Sequence, residues 1–100
     1  MEKDDILLLQ FEIPMDVNYR LLSEAKNRGL TTIVNPAPFR EFDAKYLRFV
    51  DFFIPNEHEM DAFVPEGNDY VNKAKSLINL GAKNVIVTLG EKGSLFVNKD

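Results

Sequence analysis

The sequence predicts an α/β fold built on a mainly parallel sheet with flanking helices. Four short apolar runs recur along the chain, at residues 6–9, 32–34, 52–54 and 85–87, and none alternates strictly with polar residues. Continuous apolar runs of this length are typical of parallel strands that are covered on both faces. Segments with helical spacing separate the runs, and right-handed crossovers would pack those helices against the sheet.

The first helix is predicted between the first two apolar runs. Pro14 suits the first helical turn, and Gly29 supplies a stop after basic residues. One face of this segment collects the apolar residues Val17, Leu21, Leu22 and Ala25. This pattern is typical of an amphipathic helix that packs on a sheet.

Further elements follow in a regular order. A second long helix is predicted over residues 70–80, ending at Gly81, and shorter helical pieces over 44–48 and 57–63. Residues 64–69 favour a loop, and residues 94–97 favour one more strand that turns back after a tight glycine-containing connection.

Composition limits the classes of function. The 100 residues, of which 45% are hydrophobic, suit one compact domain, and the net charge of −4 disfavours nucleic acid as a partner. The absence of cysteine excludes disulfides and thiolate zinc sites and favours a cytoplasmic protein. The acidic start and its short apolar run indicate neither a signal peptide nor membrane insertion.

Polar or conformationally restricted residues follow every apolar run. These exits are residues 10–12, 35–38, 55–59 and 88–93. Parallel strands deliver their carboxyl ends to one edge, where ligands usually bind, so a polar ligand site is expected there. The alternative is that each exit merely supplies the polar residues that turns require.

Four motifs in this order carry a family resemblance: Leu-Leu-Gln-Phe-Glu-Ile-Pro, Asn-Pro-Ala-Pro, Pro-Asn-Glu-His-Glu and Thr-Leu-Gly-Glu-Lys-Gly. Together they resemble the middle of the ribokinase branch of the PfkB carbohydrate kinases, over nearly the whole chain. The resemblance implies that residues 1–100 are a central fragment of a single ribokinase-like domain with a three-layer fold. It also implies an enzyme that uses ATP and Mg²⁺ to phosphorylate a sugar.

Asn56 and Glu59 are the candidate metal residues. They stand three residues apart at a strand-to-helix junction, so both side chains can face one side of a first helical turn. Mg²⁺ prefers hard oxygen ligands and keeps several waters, so one carboxylate beside an amide suffices to orient it. The resemblance implies a role in positioning magnesium and phosphate, and the alternative is helix capping.

The resemblance implies that Thr88, Gly90, Gly93 and Asn35 border ATP and that Glu12 contacts sugar hydroxyls. Glycines allow backbone amides to approach phosphates closely, and a carboxylate accepts hydrogen bonds from paired hydroxyls. The alternatives are a plain β-turn for the glycine segment, an ordinary turn residue for Asn35 and a charged loop residue for Glu12.

The motifs that in this family supply the sugar-binding glycine pair, the catalytic base and the anion hole do not occur in the chain, so no catalytic residue is assigned. The fragment alone is expected to be inactive and, because its strands lack cover, to self-associate. One alternative is a non-catalytic nucleotide-binding or interaction module. Another is a receiver-like domain with Asp51 as phosphoacceptor.

Overall fold

The computed structural model of the chain describes residues 5–12, 14–37, 41–67 and 69–99. Two residues of the sequence motifs, Ile13 and Pro38, lie outside these ranges. The sheet strands are β1 (Ile6–Gln10), β2 (Thr31–Asn35), β3 (Phe52–Phe53), β4 (Asn84–Thr88) and β5 (Ser94–Asn98). The α-helices are α1 (Met15–Asn27), α2 (Glu57–Phe63) and α3 (Tyr70–Asn79), and 3₁₀ turns cover Ala44–Phe49 and Gly90–Lys92.

The five strands form one sheet in the order β1-β2-β3-β4-β5. Strands β1 to β4 are parallel to one another, and β5 returns antiparallel to β4. The α/β class, the mainly parallel sheet and the returning last strand are therefore confirmed. Strand β3 is shorter than expected because Pro55, which has no amide hydrogen, soon follows it.

One face of the sheet is covered. The alternate strand residues Leu9, Val34, Phe53, Val85 and Val97 are buried in a single core. Helix α1 contributes Leu22 and Ala25 to this core, and α3 contributes Ala74, Leu77 and Ile78. The amphipathic stripes expected for both helices therefore pack against the same side of the sheet.

The opposite sheet face is open. By strand register it carries the apolar residues Ile6, Leu8, Ile33, Phe52, Ile86 and Phe96. Ile6, Leu8 and Phe96 are 64%, 61% and 53% exposed. The expectation of cover on both faces is not met within the described residues, and we call these six side chains the open face.

Asp69 is the N-cap of helix α3, and its side chain accepts a hydrogen bond from the amide of Val71 at 2.9 Å. This cap satisfies one of the free amides that every helix start leaves unpaired. Among the described helices none combines the length and the apolar character that crossing a bilayer requires.

Candidate functional site

The carboxyl ends of the parallel strands bring the sequence candidates to one edge of the sheet. Glu12 follows β1, Asn35 ends β2, Asn56 follows β3 and Thr88 ends β4. We define the rim as this edge with seven residues: Glu12, Asn35, Asn56, Glu59, Thr88, Gly90 and Gly93. Their common location follows from the parallel order of β1 to β4.

Asn56 and Glu59 form a reciprocal capping box at the start of α2. The Glu59 amide donates to Asn56 Oδ1 at 2.8 Å, and the Asn56 amide donates to Glu59 Oε1 at 2.9 Å. The capping alternative is therefore confirmed. The box uses one carboxylate oxygen of Glu59, Oε1, and does not use Oε2. Capping is therefore compatible with a second role for this side chain.

The oxygen donors at this box suit a magnesium ion that takes only one ligand from the protein side chains. Glu59 is 8% exposed, its Oε1 accepts from the Asn56 amide, and its second carboxylate oxygen lies outside the box. Within the described parts of the chain, no three His, Cys, Asp or Glu side chains converge as a metal cluster. A magnesium ion here would therefore take most of its ligands from water and from a phosphate, as Mg²⁺ commonly does.

A backbone bridge joins the capping box to the glycine segment. The Thr88 amide donates to the Pro55 carbonyl at 3.0 Å, and Asn56 and Thr88 form an isolated parallel bridge. The bridge extends the pairing of β3 and β4 beyond Phe53. As a result, the first turn of α2 lies directly beside the end of β4.

Residues 89–93 form a tight turn after β4. The Leu89 amide donates to the Gly93 carbonyl at 2.8 Å, and the Gly93 amide donates to the Gly90 carbonyl at 3.1 Å. Gly90 and Gly93 have φ values of 62° and 94°, which favour glycine. A Cβ at either position would meet nothing within 4 Å, so backbone conformation and not crowding within the chain requires these glycines.

At the β1 and β2 end of the rim, Glu12 is exposed and Asn35 is half-buried. The Phe11 amide donates to the Ala37 carbonyl at 3.1 Å, which ties the two strand exits together. Gln10 pairs in register with Asn35, so these two amide side chains stand on the same face. Gln10 was not singled out by the sequence interpretation, although its place at the end of the apolar run is a usable signal.

Asn18 is a second polar residue that the sequence interpretation missed. It is completely buried on α1, and its Nδ2 donates to the Gln10 carbonyl at 3.3 Å. Its Oδ1 has no hydrogen-bond partner among the described residues. A lone Asn within a helical stripe gives no periodic signal, which is why the pattern did not reveal it.

Asp51 lies away from the rim. It directly precedes β3, at the amino edge of the sheet, and its Oδ2 accepts from the Thr32 amide at 2.9 Å. A receiver-like phosphoacceptor would need to stand at a carboxyl end with other acids. The receiver alternative therefore does not fit the structure.

Comparisons with known proteins agree with this architecture. A family model described as pfkB family carbohydrate kinase matches residues 4–100. The deoxyribokinase of Salmonella typhi is 35% identical over 105 residues, an overlap of 100% of this chain and 34% of that protein.

Two solved structures show the same fold. The ribokinase from Thermotoga maritima has a TM-score of 0.84 at 37% identity, covering 96% of this chain and 33% of its own. The ribokinase of Arabidopsis thaliana, complexed with ribose and ATP, has a TM-score of 0.86 at 27% identity, covering 94% and 32%. The chain thus spans about a third of the length of the relatives that it matches.

Proposed function

The chain belongs to the pfkB family of carbohydrate kinases, and on that premise we propose that its rim is the nucleotide side of an ATP-dependent sugar kinase. The reaction would transfer the γ-phosphoryl group of ATP to a sugar hydroxyl. The observation that carries the proposal is the bridge between Asn56 and Thr88, which sets the capping box beside the glycine turn. Phosphoryl transfer depends mainly on positioning and charge stabilisation, and both motifs serve those ends.

The two residues of the capping box have different parts in this proposal. Glu59 would hold a hydrated Mg²⁺ through its second carboxylate oxygen, and the ion would neutralise charge on the nucleotide phosphates. Asn56 positions Glu59, because its own Oδ1 already accepts from the Glu59 amide at 2.8 Å. We therefore assign Glu59 as the metal ligand and Asn56 as the residue that orients it.

The remaining rim residues face the two substrates. The exposed hydroxyl of Thr88 and the turn containing Gly90 and Gly93 border the ATP phosphates, with open space above both glycines. Asn35 lines the same side from β2. Glu12, exposed after β1, accepts hydrogen bonds from sugar hydroxyls. The Arabidopsis relative is complexed with ribose and ATP, which supports a sugar and a nucleotide as the two ligands.

We propose further that residues 1–100 form the central part of a single ribokinase-like domain and do not catalyse transfer by themselves. A kinase of this type needs a base that orients the attacking hydroxyl, and the rim offers no residue in that role. The two rim carboxylates already have other roles in this proposal: Glu59 holds the cap and faces magnesium, and Glu12 binds sugar hydroxyls.

A chimera tests the proposed function. The matching third of the Thermotoga maritima ribokinase would be replaced by this chain, and ATP-dependent phosphorylation of ribose would be measured. We expect activity in the chimera, and we expect the same chimera with Glu59→Gln to lose most of it. Lys45→Gln is the control, since this exposed lysine lies on the 3₁₀ turn Ala44–Phe49, outside the rim.

The measurement requires that the chimera be folded, which circular dichroism and a cooperative melt establish. A folded chimera that binds ribose but transfers no phosphoryl group would refute the proposed role of the rim. Equal activity of the Glu59→Gln and Lys45→Gln chimeras would refute the role given to Glu59.

A further inference from the structure

The amino edge of the sheet, opposite the rim, contains a cleft with unbalanced charge. The cleft has a volume of about 350 Å³ and lies between the last turn of α1 and the turns that begin β2, β3 and β4. Its lining includes Lys26, Gly29, Thr31, Asp51, Phe52 and Lys83. Two cations and one anion thus face the same space.

Asp51 is fixed in this cleft by hydrogen bonds with residues of β2 and β4. Its Oδ2 accepts from the Thr32 amide at 2.9 Å, its carbonyl accepts from Asn84 Nδ2 at 2.8 Å, and its side chain is 13% exposed. The other oxygen, Oδ1, faces both lysines, at 3.3 Å from Lys83 Nζ and 4.0 Å from Lys26 Nζ. One carboxylate is therefore the ionic partner of two ammonium groups. Within the cleft lining, the positive charges exceed the negative charges by one.

The proximity of the two lysines is electrostatically unfavourable. Contact with Lys83, followed by partial burial, lowers the pKa of Lys26, whereas contacts with Lys26 and Asp51 raise the pKa of Lys83. Lys99 adds to this excess, because it lines an adjoining depression together with Lys83. The lining of the cleft is thus basic in a chain whose net charge is −4.

We propose that this cleft binds a small dianion of the phosphate class at the adjacent ammonium groups of Lys26 and Lys83. Lysine ammonium groups bind phosphate as point charges, and a dianion would supply the counterion that Asp51 alone does not. Phe52 adds an apolar side chain to the lining beside the two lysines.

The proposed anion site is separate from the rim. Strand β2 begins at Thr31 in the cleft and ends at Asn35 at the rim, so the two sites are about 13 Å apart at the usual rise of a strand. The inference therefore goes beyond the proposed function and does not depend on it.

The test is a titration of the isotope-labelled chain with inorganic phosphate, followed by amide NMR shifts. Sodium chloride keeps the ionic strength constant, since exposed charges are screened by salt. We expect saturable shifts at Gly29, Thr31 and Lys83, with a roughly millimolar Kd. A linear response without saturation, or shifts confined to residues 56–59 and 88–93, would overturn the proposal.

Matched variants locate the binding groups. Lys26→Gln and Lys83→Gln should each weaken phosphate binding by about two- to fivefold, the effect of losing one partly exposed ion pair. The double variant should abolish saturation. Asp51→Asn keeps the shape of the side chain but removes its charge, so it should tighten binding, while Lys45→Gln should leave the Kd unchanged. Equal affinities for all of these variants would refute the proposal.

Two probes distinguish the sources of the dianion. Glycerol phosphate represents a phosphate ester, and inorganic phosphate represents the free ion. Tighter binding of glycerol phosphate at the same amides would identify a phosphorylated metabolite as the ligand, and tighter binding of inorganic phosphate would identify the free ion. If neither probe shifts the cleft amides, there is no phosphate-class site.

Discussion

Asn56 and Thr88 are joined by a parallel backbone bridge just beyond the shortest strand of the sheet. The Thr88 amide donates to the carbonyl of Pro55, the residue before Asn56, at 3.0 Å. The bridge sets the distance between a helix start and a glycine turn that lie thirty-two positions apart in the sequence. A substitution that displaces the backbone of either motif is therefore expected to displace the other.

Loss of the Asn56 cap should destabilise the chain. Asn56→Ala removes the acceptor of the Glu59 amide, and we expect the free energy of unfolding to fall by about 1 kcal/mol. Urea denaturation would measure the change. Asn56→Asp retains a side-chain oxygen and is the control, so it should unfold near the parent midpoint. Equal midpoints for the alanine variant and the parent would show that the cap contributes nothing.

Glu59→Gln separates the capping role from the proposed metal role. Glutamine can still accept from the Asn56 amide, so the capping box and the unfolding midpoint should be retained. Magnesium-dependent turnover of the Thermotoga chimera should fall by about a hundredfold, the upper end of the loss seen when a residue that orients a metal ligand is removed. The measurement is the initial rate across a magnesium titration, and an unchanged profile would contradict the metal role.

The open face should drive self-association. Its apolar side chains form a contiguous surface, which proteins rarely leave exposed to water. We propose that copies of the chain associate through it, and sedimentation velocity at increasing protein concentration should show species larger than the monomer. Leu8→Lys should shift the chain toward the monomer.

Leu80→Lys is the control for this prediction. Leu80 is 54% exposed, close to the 61% of Leu8, but it follows helix α3 and lies outside the open face. A monomeric parent at high concentration would contradict the prediction. Equal effects of the two lysine variants would also contradict it, because they would show that the location of the apolar residue is irrelevant.

The ion pair of Asp61 and Lys73 should make stability depend on acid pH. The Lys73 side chain is 5% exposed, its ammonium lies 2.6 Å from Asp61 Oδ1, and this hydrogen bond lowers the pKa of Asp61. A lowered pKa means that the stabilisation is complete above the ordinary aspartate pKa and is lost as pH falls through the lowered value.

Asp61→Asn should therefore unfold at lower urea than the parent at neutral pH, and the two midpoints should converge in strong acid. Glu24→Gln is the control, since it removes an exposed ion pair with Arg28 that is expected to contribute little to the free energy of unfolding. A difference between Asp61→Asn and the parent that persists unchanged into strong acid would show that charge is not its cause.

Much of the fold follows from local patterns. The apolar runs identify the parallel strands, because each of these strands is short and lies on an unbroken run of apolar residues. The stripe containing Leu22 and Ala25 identifies α1, because a helix on a sheet buries one face. The clustering of Asn56 and Thr88 at one edge follows from the parallel order alone. What the pattern could not decide was which sheet face the described helices cover.

The candidate site was predictable in position more than in detail. The spacing of Asn56 and Glu59 suits both a capping box and a metal site. Only the structure shows that the box uses one oxygen of Glu59. The pairing of Asp51 with Lys26 and Lys83 depends on three turns that are distant in sequence. No local pattern reports such a contact, because it arises from tertiary packing.

A titration of the labelled chain with ATP and Mg²⁺, monitored by amide NMR shifts, tests the central claim most directly. If the rim is the nucleotide side of a sugar kinase, saturable shifts should appear at residues 56–59 and 88–93 and should weaken when magnesium is withheld or Glu59 is changed to Gln. Saturable binding that leaves these amides unshifted, or the absence of any saturable shift, would contradict the claim.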